Sequence, residues 1–202
     1  MKKLFKVFKR LFDIFFSIFG LIIILPVLLI ISVFVFFDSK GGIFYLQKRV
    51  GKRNTNFNLF KFRSMIQNAE KTGLLTVGAR DNRITKVGFF LRKYKLDELP
   101  QLLNVLIGDM SFVGPRPEVR KYVDLYNKEQ LNVLNVKPGI TDLASIRFIN
   151  ENEILAGYEN PEDAYIKDIM PLKLKINLEY ISKANVLTDI KIIIQTIFKV
   201  FR

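Results

Sequence analysis

The chain contains neither cysteine nor histidine among its 202 residues. Without cysteine there can be no disulfide, no thiolate-ligated zinc and no thiolate nucleophile. Without histidine, the commonest general base and the imidazole metal ligand are excluded as well. Any catalysis must therefore depend on carboxylates, lysine, tyrosine, hydroxyl groups or a hard metal ion bound by oxygen atoms.

Acidic residues are also scarce relative to basic ones, with 19 Asp and Glu against 32 Lys and Arg and a net charge of +13. Such a surface attracts nucleic acid, anionic lipid or phosphorylated small molecules. There is no GxxxxGK[ST] or GxGxxG motif, no RNA-binding aromatic motif and no helix-turn-helix pattern. The 50% hydrophobic content and 19 phenylalanines favour membrane lipid as a partner, and no nucleic acid is expected.

Residues Ile14 to Phe37 form an apolar run of 24 residues without a charged side chain. A helix of this length measures about 36 Å, against a hydrocarbon core of about 30 Å. The run is too long for a cleaved signal peptide and lacks its small-residue cleavage site. Basic residues flank both ends, whereas a spanning helix usually has one basic flank, and Pro26 predicts a kink. A re-entrant helix and a spanning signal anchor both remain open from the residues alone.

Two β-prone runs, Phe44 to Val50 and Asn56 to Phe62, predict a hairpin because a short Gly-containing turn joins them. Helices are expected over 64–71, 88–94, 97–107, 117–134 and 171–182, with a further helix start at 161–165, while 74–85 is irregular and 114–117 is a stiff extended loop. The tail, 187–202, is a basic amphipathic helix suited either to a membrane surface or to core packing.

Asp97 and Glu98 stand directly before a stretch with leucines on one helical face. One interpretation is helix capping, because acidic residues are favoured at helix N-termini. The other is chemical. A helix N-terminus also accommodates phosphate, and one carboxylate there could attack phosphorus while its neighbour holds Mg²⁺. Both interpretations are open at this stage.

Arg116 lies between Pro115 and Pro117, which stiffen the backbone around it. A planar guanidinium held in a narrow range of positions suits bidentate phosphate binding. Together with Arg116, four other basic residues could neutralise a pyrophosphate and the charge that develops on a transferred phosphoryl group: Lys61, Arg63, Arg83 and Arg92.

The strings LDELPQ (96–101), NVL (104–106), GDMS (108–111) and VGPRPE (113–118) follow one another closely. Supporting strings are QKRVG (47–51), KFRSM (61–65), RIT (83–85), LR (91–92) and KPGIT (137–141). In combination they strongly resemble the bacterial sugar transferase family, the monotopic phosphoglycosyl transferases that act on polyprenyl phosphate. The resemblance extends from about Lys9 to the C-terminus, and the chain is similar in length to the minimal single-domain members.

The resemblance implies a transfer of sugar 1-phosphate from a UDP-sugar to undecaprenyl phosphate, dependent on Mg²⁺, at the cytoplasmic face of the bacterial inner membrane. In this chain Asp97 would be the nucleophile that forms a covalent phosphosugar intermediate and releases UMP. Glu98 would bind Mg²⁺, and Arg92 and Arg116 would hold phosphate groups. The products would initiate O-antigen, capsule, exopolysaccharide or glycoprotein glycans. Candidate partners are the two substrates, membrane lipid and a second copy of the chain.

The implied fold class is α+β and mainly helical. Residues 1–40 would form a basic flank and a re-entrant membrane helix kinked at Pro26. Residues 41–202 would form a small cytosolic catalytic domain with a β-hairpin and amphipathic interfacial helices. Three positions depart from the family pattern: Leu25 precedes Pro26 where many members have serine, Lys95 precedes the LDE string where Ser or Thr is common, and Asp142 to Ser145 replace the usual Gly-Leu-x-Gln. The last departure leaves the sugar open. An inactive membrane-anchored scaffold is the alternative function.

Overall fold

The computed structural model describes residues 3–69, 73, 75 and 81–200, and its first element is a 36-residue helix, α1 (Lys3–Asp38). Among the described residues, α1 is the one helix that is long and apolar enough to cross a membrane, although core helices and signal sequences also meet that criterion. Pro26 lies inside α1. The kink at Pro26 and the re-entrant path of α1 stay predictions, as does a domain boundary at residue 40.

Helix α1 contacts the rest of the protein near both of its ends. Near the N-terminal end, Arg10 donates hydrogen bonds to the carbonyl oxygens of Val105 and Leu106, at 2.6 and 2.8 Å. Asp13 accepts a bond from the Ser111 hydroxyl at 3.0 Å. At the other end, the Asp38 carboxylate accepts the backbone N–H of Val87 at 3.0 Å. One face of α1 is therefore attached to the folded domain, while most of its apolar side chains are exposed.

The predicted hairpin is confirmed, with strands β1 (Phe44–Val50) and β2 (Asn56–Phe62). The strands are antiparallel, in a register that pairs Phe44 with Phe62 and Val50 with Asn56. The connection includes a 3₁₀ turn at Lys52–Asn54. Leu59 and Phe62 of β2 are both buried, and because they point to opposite faces of the strand they belong to two different apolar clusters.

The helix expected over 64–71 is wrong for its described part, 64–69. Its backbone groups bond to a distant segment and not along a helix. Ile66 N–H donates to the Arg83 carbonyl at 2.9 Å, and Thr85 N–H donates to the Ser64 carbonyl at 3.1 Å. Asn68 also adopts a left-handed conformation that interrupts a helix. Glu70, Lys71 and half of the stretch expected to be irregular, 74–85, lie outside the described residues. Helix α2 (Lys86–Lys93) follows, close to the predicted 88–94, and Thr85 caps it by accepting the Gly88 N–H at 3.0 Å.

The expected helix over 97–107 divides into a 3₁₀ turn, Leu96–Glu98, and helix α3 (Gln101–Ile107). The division occurs at Pro100, which has no N–H to donate to the preceding turn. Before it, the Leu99 N–H donates to the Leu96 carbonyl at 3.3 Å, in the tighter 3₁₀ pattern.

The single helix expected over 117–134 is also wrong. It is reduced to α4 (Arg120–Val123) and a 3₁₀ segment, Gln130–Asn135. Between them, Asn127 and Gln130 bond to each other's backbone N–H at 2.9 Å, a capping box that begins a new segment instead of continuing the old one.

The C-terminal half is helical apart from a short parallel pair, β3 (Ser111–Val113) with β4 (Gly139–Thr141). After these come α5 (Leu143–Arg147) and α6 (Glu151–Ala156), neither of which the sequence predicted. The helix start expected at 161–165 is confirmed as α7 (Pro161–Ala164), which runs through a π-helical turn into α8 (Met170–Lys183). The chain then forms α9 (Val186–Val200), the predicted tail helix.

The largest buried apolar cluster joins the Val119–Tyr122 region to α7 and α8 and includes Leu155, Tyr165, Ile169, Met170 and Leu174. A second cluster joins α1 to the hairpin and α2 through Ile31, Val35, Phe62 and Leu91. On α9, Ile192 is buried, but five large apolar side chains are exposed: Leu187, Ile190, Ile194, Ile197 and Phe198. Core packing thus accounts for only one side of this helix.

Candidate active site

A cleft of about 860 Å³ lies between the hairpin, the turn before α3, the loop after β3, and α8. It brings together the seven acidic and basic residues that the sequence singled out between positions 61 and 116: Lys61, Arg63, Arg83, Arg92, Asp97, Glu98 and Arg116. The eighth candidate, Pro26, lies in α1 away from this lining. The chemical role of each residue stays a prediction.

The turn that carries the two acids is held in an unusual conformation. Lys95, immediately before it, has a φ of 56° and a ψ of 21°, the left-handed region that non-glycine residues seldom adopt. This conformation ends α2 and starts the 3₁₀ turn, while Pro100 prevents the turn from extending into α3. Asp97 and Glu98 therefore project from a rigid corner between two helices and not from a regular helix N-terminus.

Asp97 is 5% exposed. Burial raises the pKa of Asp97 above its ordinary value, and the charge of Glu98 raises it further. The positive charges of Lys61, Arg92 and Lys95 lower that pKa, but by less than burial and Glu98 raise it. The carboxylate of Asp97 is thus poorly solvated.

Glu98 has the opposite environment. It accepts a bond from Lys61 Nζ at 3.0 Å, and Arg116 forms a two-pronged ion pair with both of its oxygens. Burial alone would raise the pKa of Glu98, but Arg116 and Lys61 outweigh it and hold the pKa well below the ordinary glutamate value. Burial lowers the pKa of Lys61, against the effect of Glu98. Glu98 is therefore ionised when Asp97 is.

Arg116 is placed by the close approach of two backbone segments. A Cβ atom added at Gly139 would lie 2.1 Å from the Gly114 nitrogen, so only glycine fits there. The gap is bridged by the Gly139 N–H, which donates to the Pro115 carbonyl at 3.0 Å. From the hairpin, Arg49 supports the same loop by donating to the Pro117 carbonyl at 3.0 Å.

The remaining predicted cations differ from one another. Arg83 donates to the Asp81 carboxylate and to the carbonyls of Gly73 and Leu75, at 2.5 to 3.1 Å, so its guanidinium is occupied by its own loop. Arg63 donates to the Lys40 carbonyl at 3.3 Å, and its buried Nε lacks a partner within the described part of the chain. Arg92 extends from α2 into the cleft and acts electrostatically on Asp97.

Sequence reasoning did not select several residues of the cleft wall. Glu118 accepts a bond from Arg49 at 2.9 Å and another from the Tyr165 hydroxyl. Both Arg49 and Glu118 stood in the strings that carry the family resemblance, which was the available signal. Tyr165 and Asn177 also line the cleft, but they come from helices more than forty residues further along, and no local pattern marks them.

The model of the family described as bacterial sugar transferase matches residues 4–202. Over 192 residues the chain is 36% identical to a UDP-N-acetylgalactosamine-undecaprenyl-phosphate N-acetylgalactosaminephosphotransferase of Aeromonas hydrophila, covering 94% of this chain and 42% of that protein. Over 198 residues it is 39% identical to a UDP-glucose:undecaprenyl-phosphate glucose-1-phosphate transferase of Klebsiella pneumoniae, covering 96% of this chain and 40% of that protein. The chain thus spans about two fifths of the length of these relatives.

The chain belongs to the bacterial sugar transferase family. The two relatives are named for different sugars, so the family does not by itself indicate which sugar this chain would take.

Proposed function

We propose that this chain transfers a sugar 1-phosphate from a UDP-sugar to undecaprenyl phosphate and thereby initiates a bacterial glycoconjugate. The observation that carries the proposal is the pair of adjacent carboxylates in a cation-lined cleft, one poorly solvated and one held by Lys61 and Arg116. The names of the relatives support the two substrate classes.

In the first step an Asp97 oxygen attacks the β-phosphorus of the UDP-sugar. A P–O bond to Asp97 forms, the bond from that phosphorus to the bridging oxygen breaks, and UMP leaves with the electron pair. In the second step an oxygen of undecaprenyl phosphate attacks the same phosphorus. The aspartyl bond breaks, Asp97 is regenerated, and the product is undecaprenyl diphosphate sugar. No general base is needed, because every attacking oxygen is already anionic at neutral pH.

The cations have distinct roles in this scheme. Arg116 and Arg92 bind phosphate oxygens of the donor and offset the charge that develops on the transferred group. Lys61 and Arg116 also hold Glu98, so movement of Arg116 towards a phosphate would loosen its ion pair with that carboxylate. Arg83 stabilises the loop beside the cleft through Asp81.

Magnesium is the expected cofactor, and the donor set accommodates it. The described residues contain no cluster of three or more acidic side chains, but Mg²⁺ commonly binds one or two carboxylates together with substrate phosphates. Oε2 of Glu98 accepts only one of that carboxylate's three bonds and keeps an acceptor position. Glu98 would hold the ion, which would neutralise phosphate charge when bound.

The location proposed is the cytoplasmic face of the bacterial inner membrane, with both ends of α1 on that face. Asp13 and Asp38 lie 25 residues apart, about 37 Å along a helix, yet both bond to the same folded domain. A single crossing would draw this charged domain into the hydrocarbon. Exposed apolar side chains on α1, α2 and α9 supply a lipid-contacting surface.

The test is UMP release by the purified protein in detergent, with Mg²⁺, undecaprenyl phosphate and a panel of UDP-sugars. We expect release with at least one sugar, at least 10³-fold slower in Asp97→Asn, because the amide is not a nucleophile. Chelation of Mg²⁺ should also stop it. An Asp97→Asn variant with full activity and an unchanged melting curve would remove the nucleophile assignment, and no release by the unaltered chain would favour the scaffold interpretation.

A further inference from the structure

Asn177 is a buried amide in the cleft wall that the proposed reaction leaves without a role. It lies on α8, is 5% exposed, and lines the same cleft as Asp97 and Glu98. Its Oδ1 atom is buried and accepts no hydrogen bond from the part of the chain that the structure describes. Native proteins pair roughly 90% or more of their buried polar groups, so an unpaired acceptor at a cleft needs an explanation.

The position of Asn177 on α8 is that of a wall residue. Met170, Lys173 and Asn177 recur at a spacing of three and four residues and all line the cleft, as one face of a helix does. Lys173 is bound to Glu151 at 2.6 Å, so its charge is neutralised locally. The amide of Asn177 is therefore a neutral group on the face of α8 that lines the cleft.

The chemistry of the unpaired atom limits what it can bind. A carbonyl oxygen accepts hydrogen bonds and repels another acceptor, so it cannot bind phosphate oxygens. It suits an O–H or N–H group, which a UDP-sugar carries on its sugar and on its uracil ring. A second, small cavity of about 30 Å³ also borders Asn177, next to Arg116 and Glu118, and it is large enough for an ordered water.

We infer that Asn177 is a specificity-determining residue that accepts a hydrogen bond from an O–H or N–H group of the bound UDP-sugar. The inference rests on the proposed function for the identity of the ligand. A site that hydrogen-bonds a substrate group rejects analogues that lack it, because the site's polar atom is then left unpaired. The amide of Asn177 would thus contribute to the choice of donor, while Arg116 and Glu98 act on the diphosphate common to all donors.

The experiment compares Asn177→Leu, which keeps the approximate volume and removes the acceptor, with Asn177→Asp, which keeps an acceptor. The matched control is Tyr180→Phe, which removes a buried hydrogen bond to Asp189 on the same helix, outside the cleft lining. Equilibrium binding of four UDP-sugars and of UMP, and KM and kcat for UMP release, are measured for each variant alongside a melting curve.

We expect Asn177→Leu to weaken binding of the preferred UDP-sugar about tenfold, the effect of one lost neutral hydrogen bond, while Asn177→Asp and Tyr180→Phe retain its preference among sugars. If UMP binding is unchanged, the bond is to the sugar. If UMP binding weakens equally, the bond is to the uridine, and Asn177 then selects the nucleotide and not the sugar.

Equal affinities for all ligands in Asn177→Leu and Tyr180→Phe would overturn the inference and assign the acceptor to a structural water. A folded wild-type protein that binds no UDP-sugar would overturn it together with the proposed function. UDP-sugar binding that weakens in Asn177→Leu, without UMP release by the wild type, would uphold the inference and reject only the reaction.

Discussion

Two neighbouring residues, Asp97 and Glu98, have the same functional group and opposite environments. Burial and the adjacent negative charge raise the pKa of Asp97, while Arg116 and Lys61 hold the pKa of Glu98 low despite its burial. Titratable groups whose pKa values are pushed apart in one cleft are typical of sites that give each a different task. The proposed roles of Asp97 as nucleophile and Glu98 as metal ligand are based on that division.

The raised pKa of Asp97 predicts the acid side of the pH profile. If Asp97 is the nucleophile, it must be ionised to attack, so the rate should fall about tenfold per pH unit below an apparent pKa that lies above 3.8. The measurement is single-turnover UMP release without undecaprenyl phosphate, because a lipid phosphate with a second pKa of about 6 would add its own titration.

The Arg92→Gln variant tests whether Asp97 controls that profile, and Arg120→Gln is its control. The charge of Arg92 lowers the Asp97 pKa, so its removal should shift the acid limb to higher pH. Arg120→Gln, at a half-buried position outside the cleft that donates hydrogen bonds to Asn54 and Asn56, should leave the limb in place. An acid limb that stays fixed in Arg92→Gln would show that another group controls it.

The short parallel pair β3–β4 decides where Arg116 lies. Gly139→Ala would place a methyl carbon 2.1 Å from the Gly114 nitrogen, and backbone atoms cannot move aside as side-chain ends can. We expect a loss of about 1–3 kcal/mol in the free energy of unfolding. UMP release should fall up to about 10²-fold in the protein that stays folded, because the Arg116 loop is displaced. Denaturant unfolding and the UMP assay measure the two effects.

The matched variant is Gly157→Ala, at the end of α6, where the added carbon meets only the Ile154 carbonyl at 3.5 Å and φ is −83°. Its stability should change by less than about 1 kcal/mol, and in the favourable direction, because alanine reduces the freedom of the unfolded chain. Equal losses in the two alanine variants would mean that the close approach of Gly114 and Gly139 does not constrain the loop.

The membrane topology of α1 can be tested by labelling single introduced cysteines, because the chain has no cysteine of its own. Lys6→Cys and Lys40→Cys place single thiols at exposed positions near the two ends of α1. We expect both thiols to react with a membrane-impermeant maleimide in inside-out vesicles and neither to react in spheroplasts, because both ends of α1 contact one domain. Reaction of the two thiols from opposite sides would establish a spanning helix instead. UMP release by each cysteine variant controls for correct folding.

The sequence by itself determined the features that depend on neighbouring residues. The hairpin bounds follow from β-prone runs around a turn, α2 and α8 follow from helical spacing, and the apolar run predicts the long first helix. The strings around Asp97 and Arg116 were sufficient for the family. The absence of cysteine and histidine limited the candidate nucleophiles to carboxylates, lysine, tyrosine and hydroxyl groups.

Hydrophobic spacing missed where two helices stop, and only the tertiary structure decided what faces the cleft. Pro100 and the capping pair Asn127 and Gln130 divide stretches whose hydrophobic spacing favours single helices. The contrast between Asp97 and Glu98 depends on burial and on partners 18 to 37 residues away. Asn177 enters the cleft because α8 packs there, and no local pattern contains that contact. Periodicity reports on local backbone preference, whereas solvation and charge at a site depend on distant parts of the chain.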